Sequence, residues 1–196
     1  MTKAVVAAVA AVAVVVAASV MAGCGGDDGA AGTGGDGSGG VETTAPGPRV
    51  DYLRDASSVP KLLRDQFGEV PQLRRLILTE DSIRAQIRDP ERPENMDDWV
   101  YREGGWTSTP VSVSVHEIEQ FDDVTFVPGA IAWDRIPSLI EATYDGVDLE
   151  EESISAVSYD RIAGEPPRVY IGVTGLRGSG RLLGLADGTE YDVERS

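Results

Sequence analysis

An α+β fold is predicted for residues 49–196, built as two repeated units that each pack one helix on a small antiparallel sheet, behind a signal peptide and a flexible linker. Three observations predict it. A helical pattern headed by proline occurs twice at a constant offset of 77 residues. Short alternating runs separated by turn residues follow both copies. The first 48 residues hold an apolar leader and then a glycine-rich stretch, so the core must form beyond them. The expected organisation is a leader over 1–23, an anchor and linker over 24–48, a first unit over 49–118 and a second over 119–196.

The leader comes first in the chain. Lys3 precedes fifteen residues, 4–18, that are all Ala or Val, and small residues then run to Gly23 and Cys24. A short basic start, an apolar stretch and small residues before a cut site make a secretory signal. Met21-Ala22-Gly23-Cys24 resembles the lipobox of bacterial lipoproteins, with Met21 in place of the usual Leu, Val or Ile. The resemblance implies cleavage before Cys24 and a diacylglyceryl group, with palmitate-type chains, on its thiol. Residues 4–22 also approach the roughly 20 residues of a membrane-spanning helix. The lipobox, the low hydrophobicity of Ala and the immediate glycine run favour cleavage. Two acyl chains anchor a protein stably where one does so only marginally. The expected location is therefore the extracytoplasmic face of a cell membrane, held by lipid on Cys24.

Residues 25–48 contain ten glycines among Asp, Ser, Thr and Ala, which is a flexible linker. Its r.m.s. reach is roughly 25–30 Å on the flexible-coil estimate. Cleavage would take the formal charge from −16 to −17, because Lys3 is the only charged residue before Cys24. Nucleic acid is a poor partner for such a chain, since phosphate binding relies on clustered Lys and Arg. Lys occurs only at Lys3 and Lys61, and this Arg-over-Lys, Ala/Val/Gly-rich usage suggests a high-GC, actinobacterial type of source. Cys24 is the single cysteine, so no intrachain disulfide forms.

The two helical patterns are residues 57–67 and 134–144. Ser57 and Asp134 are N-cap types, and Pro60 and Pro137 sit in the first turn, where a missing N–H costs nothing. Ile136, Leu139, Ile140, Thr143 and Tyr144 then share one helix face, and Gly68 and Gly146 end the two helices. Strands are expected at 74–79, 82–88 and 98–102 in the first unit, with Gly104-Gly105 as a turn. In the second they are expected at 153–159, 168–174, 181–185 and 190–193. Between the units, Val111, Val113 and Val115 alternate with Ser112, Ser114 and His116, which reads as a strand, and 124–127 as another. Neither unit has much core alone, so the two should pack together.

Helix followed by strands, in tandem behind a signal peptide, resembles the PepSY-like modules of secreted bacterial proteins. Val169-Tyr170-Ile171-Gly172-Val173 and Gly184-Leu185-Ala186-Asp187-Gly188 carry the likeness to their strand and hairpin pattern. The resemblance implies an extracellular binding or peptidase-restraining element and supplies no catalytic residues.

Chemistry-bearing patterns are sparse. His116 is the only histidine, which excludes two-histidine zinc sites, and it is expected on the polar face of a strand. Ser179 in Gly178-Ser179-Gly180 lacks the G-x-S-x-G spacing of a nucleophile elbow. The glycines at 172, 175, 178 and 180 are followed by a strand pattern, so a hairpin is expected there rather than a phosphate loop. Asp145, Asp148, Glu150, Glu151 and Glu152 could bind calcium weakly or form a solvated connection, and their spacing is not that of an EF-hand. Asp97-Asp98 and Asp122-Asp123 are expected to be solvated. Trp99, Tyr101 and Trp106 are the candidate binding surface, because Trp and Tyr are favoured at binding hot spots. Packing against the first helix is the other use open to them.

No catalytic, cofactor-binding or metal site is expected, and the chain is expected not to be an enzyme. The function expected is a non-enzymatic binding module of the cell envelope that contacts an extracytoplasmic protein or envelope ligand. The alternative is an inhibitor or regulator of a secreted peptidase or β-lactamase-like hydrolase, since the β-lactamase inhibitory proteins also use tandem small α+β modules.

Overall fold

A computed structural model describes residues 50–195, all within the compact unit Thr44–Ser196. The signal peptide, the lipobox with Cys24 and the linker lie outside the described residues. A 3-10 turn at Ala56–Ser58 leads into helix α1 (Val59–Phe67). Strands β1 (Leu73–Leu78), β2 (Ile83–Arg88), β3 (Met96–Arg102) and β4 (Gly105–Val111) follow. Two short helices, α2 (Val115–Glu119) and α3 (Phe121–Val124), then connect through two further 3-10 turns to α4 (Ile136–Val147). Strands β5 (Ser153–Asp160), β6 (Arg168–Gly175), β7 (Gly178–Leu185) and β8 (Tyr191–Arg195) complete the chain.

All eight strands form one antiparallel sheet, in the order β4-β3-β2-β1-β5-β6-β7-β8. This corrects the expectation of two repeated units, each with its own small sheet. The reason lies at the β1–β5 seam, where Leu76 pairs with Tyr159 and Leu78 with Val157. Two separate sheets would each have left an unpaired edge of backbone N–H and C=O groups at these strands, over apolar side chains. Pairing β1 with β5 satisfies both edges and joins the apolar faces into one core. That core runs from Leu63, Leu76 and Ile83 through Val157 and Tyr159 to Ile171 and Leu182. Met96 and Phe121 are buried outside it, where α3 packs at a corner of the sheet.

Local corrections follow from the same geometry. The 3-10 turns move the helix starts beyond Ser57 and Asp134, so the N-cap residues are Ser58 and Arg135, and neither side chain caps. Gly68 does end α1, in the left-handed region at φ 83°. Gly146 does not end α4, which continues to Val147 and closes at Asp148 with φ 48°. Gly146 instead admits β8: a Cβ there would fall 2.6 Å from Cγ1 of Val193.

The valine alternation at 111–115 is not a strand. Only Val111 belongs to one, and Ser114 opens α2 through a capping box with Glu117, which places His116 on a helix. Residues 124–127 contribute one bridge, with Phe126 and Leu73 exchanging both backbone hydrogen bonds at 2.8 Å. The strand missed in the sequence is β4, whose Gly105 and Pro110 mask its pattern; Pro110 is tolerated because β4 is an edge strand.

Candidate functional site

The register of β3 and β4 places the three candidate aromatics together. Tyr101 lies opposite Trp106, and Trp99 lies opposite Ser108 on the same sheet face. That face also carries Ile83 and Ala85 of β2, so the rings sit over the core side rather than on the open side. Residue Phe67, the last of α1, descends between them. Its ring is T-shaped against Trp99 at 5.0 Å and against Trp106 at 5.1 Å. Tyr101 is 5.0 Å from Trp106, and Tyr52 meets Tyr101 edge-on at 6.0 Å. Such edge-to-face pairs contribute about 0.5–1.5 kcal/mol each beyond their buried area. Burial, with Tyr101 and Asp55 adding to it, raises the Tyr52 hydroxyl above its ordinary pKa. All three candidate rings are half-buried: Trp99 and Trp106 pack against Phe67 of α1, and Tyr101 against Tyr52 and Trp106.

Phe67 also connects this cluster to an apolar cavity of about 380 Å³. Val70, Pro71, Ile87, Pro90 and Pro93 line it, with Gln66, Gln72 and Asp89 among its polar members. Two loops make it: the one after α1, released by Gly68 at φ 83°, and the one between β2 and β3. Asp89 stiffens the second loop by accepting the backbone N–H groups of Glu91 at 2.8 Å and Arg92 at 3.2 Å. These bonds, led by that from Glu91, lower the Asp89 pKa. Val70 stands 64% exposed at this cavity.

The cavity was not legible in the sequence. Its only signal was the density of Pro71, Pro90 and Pro93 around two loops, which reads equally as turn chemistry.

The remaining candidates are not drawn into a site. His116 is exposed on α2, with its Nε2 3.2 Å from the Gln120 amide nitrogen and its Nδ1 4.0 Å from Glu119. Ser179 pairs with Thr174 within the hairpin closed by Gly175 and Gly178. In the acidic run, Asp148 closes α4, Glu152 accepts the Leu149 backbone N–H at 3.3 Å, and the Glu150 carbonyl accepts that of Leu176 at 2.9 Å. Asp97 and Asp98 lie within β3, and Asp98 pairs with Arg84 across the sheet. Asp122 is not left to solvent alone: it accepts from Arg88 Nη1 at 2.6 Å, and Arg88 also lies 5.4 Å over the Phe121 ring. Among the described residues no group of three His, Cys, Asp or Glu stands close enough to hold a metal ion, and no helix is long and apolar enough to cross a membrane.

Comparison of the chain with protein-family models, with curated proteins and with solved structures finds no match. The tandem units that suggested PepSY-like modules are replaced by one sheet, and the two segments quoted for that likeness, 169–173 and 184–188, lie in β6 and around the β7–β8 hairpin.

Proposed function

We propose that this chain is a lipoprotein, tethered through Cys24 to the extracytoplasmic face of a bacterial membrane, that binds an apolar side chain of a partner protein in the cavity beside Phe67. The observation that carries the binding site is the continuity of the aromatic cluster with that cavity through a single ring. Clustered aromatic side chains beside a preformed apolar pocket are the anatomy of an interface anchor. A protein partner suits the site better than an anionic polymer, because the chain carries a formal charge of −16.

Two measurements test this. Intact mass of the membrane-extracted protein should show cleavage before Cys24 with acyl chains attached, and an unacylated full-length mass overturns the anchor. For the cavity, a photo-crosslinking residue replaces Val70 in the full chain in its native membrane, with a control label at exposed Glu141 on α4. One dominant protein adduct from position 70, absent from position 141 and abolished by Pro93→Asp at the cavity lip, is the expected result. No adduct, or the same adducts from both positions, overturns it.

A further inference from the structure

The alternation that sends Leu76 and Leu78 into the core leaves Arg75 and Ile77 on the sheet face opposite α1 and α4. On that face Arg75 lies in register between Gln86 of β2 and Asp160 of β5, across the seam of the sheet. Helix α2 and the segment after β5 contribute the walls of a second cavity, of about 370 Å³. Arg74, Arg75, Gln86, Glu117, Asp160 and Arg161 line it, with Ile162 as an apolar part of its rim.

The charges there are only partly compensated. Arg74 Nη2 reaches Glu117 at 3.2 Å, and Glu117 is further held by the Ser114 backbone N–H and hydroxyl, each at 2.9 Å. That pair is internally neutral. Arg161 is fixed by neutral oxygens instead, its Nε donating to the Glu165 carbonyl and its Nη1 to the Thr125 carbonyl, both at 2.9 Å. Arg75 has no side-chain hydrogen bond or ion pair among the described residues, and Asp160 forms none with either arginine. One cavity of a strongly acidic chain therefore presents two guanidinium groups without a bonded carboxylate.

We infer that this cavity binds the C-terminal carboxylate of a short peptide, with Arg75 and Arg161 as its guanidinium donors. The planar fork of arginine matches a carboxylate edge in two parallel bonds. Three arginines against Glu117 and Asp160 leave one net positive charge, which suits a single carboxylate. A phosphate dianion would exceed that single net charge. Asp160 and the Gln86 amide oxygen supply acceptors for the peptide N–H groups behind the carboxylate. The site shares no residue with the cavity beside Phe67, so it survives or fails independently of that one.

The probes are N-acetyl-alanyl-alanine, its C-terminal amide and inorganic phosphate, each titrated into the full chain in detergent while NMR follows the arginine Nε–H signals. The acid should shift the Arg75 and Arg161 signals saturably at millimolar concentration, and the amide should not. Arg75→Gln, at an exposed position, should weaken the acid by about tenfold, the loss expected for one charge-assisted pair. Equal response to acid and amide, no saturable shift, or tighter binding of phosphate than of the acid would each overturn the assignment. The acid-to-amide comparison uses the natural chain and needs no variant.

Discussion

At the scale of single residues, one buried polar side chain among the described residues stands without a partner. Tyr159, next to the last residue of β5, is 1% exposed, and its hydroxyl has no hydrogen-bond partner among the described residues. Its ring packs 6.4 Å from Trp133 at the seam of the sheet. An orphaned buried hydroxyl costs about 1–3 kcal/mol in lost solvation. Tyr159→Phe keeps the ring and removes that cost, so urea unfolding should show a gain of about 1 kcal/mol. Burial also raises the Tyr159 pKa above its ordinary value of 10.0. A raised folded-state pKa means that the neutral hydroxyl is favoured in the folded chain. Stability is therefore intact below pH 10.0 and falls as pH rises above it, and Tyr159→Phe should flatten that alkaline decline. The residue also marks a limit of sequence inference: alternation placed Tyr159 on a strand, but no pattern told which hydroxyl would lose its water.

At the scale of elements, close approach decides which glycines matter. Gly180 of β7 faces Val147 at the end of α4, and a Cβ there would lie 2.5 Å from Cγ1 of Val147 and 2.8 Å from the Glu194 carbonyl oxygen. The second of these contacts is backbone and cannot rotate away. Gly180→Ala should therefore destabilise by about 1–3 kcal/mol, the usual range for overpacking, as measured by thermal unfolding. In sequence the same residue read only as part of a glycine-rich hairpin. Helix α2 shows the reverse relation. Its capping box is written locally as Ser114-Val115-His116-Glu117, yet the valine alternation just before it outweighed that signal and suggested a strand. Bonds from the Ser114 backbone and hydroxyl, then Arg74, hold the Glu117 pKa below its ordinary 4.5, so the cap is complete above that pH and weakens as pH falls below it.

At the scale of the whole molecule, the continuous sheet makes the described unit a single cooperative structure. Leu76, Leu78, Val157 and Tyr159 lie on both sides of the β1–β5 seam within one core. Neither half can open without exposing that core to water. Calorimetry should therefore show one transition with equal calorimetric and van't Hoff enthalpies, whereas two resolved transitions would restore the picture of two separate units. The two cavities share no residue: one follows the end of α1, the other lies at the pairing of β1 with β5.

Seven of the strands and both longer helices were legible in the sequence, because alternation, proline-headed amphipathic faces and turn residues are local properties of the chain. The aromatic cluster was legible as residues but not as a place. Trp99 and Tyr101 share a strand face by period alone, whereas Phe67, Val70 and Pro93 join them only after α1 and the β2–β3 loop meet. Edge β4 was hidden because Gly105 and Pro110 interrupt a run in which Trp106, Thr107, Thr109 and Val111 favour a strand. What the sequence by itself determined was the set of elements and the apolar faces they must bury. The tertiary structure alone decided that β1 would pair with β5 and which loops would enclose a cavity, because edge pairing and cavity walls depend on backbone groups and residues far apart in the chain.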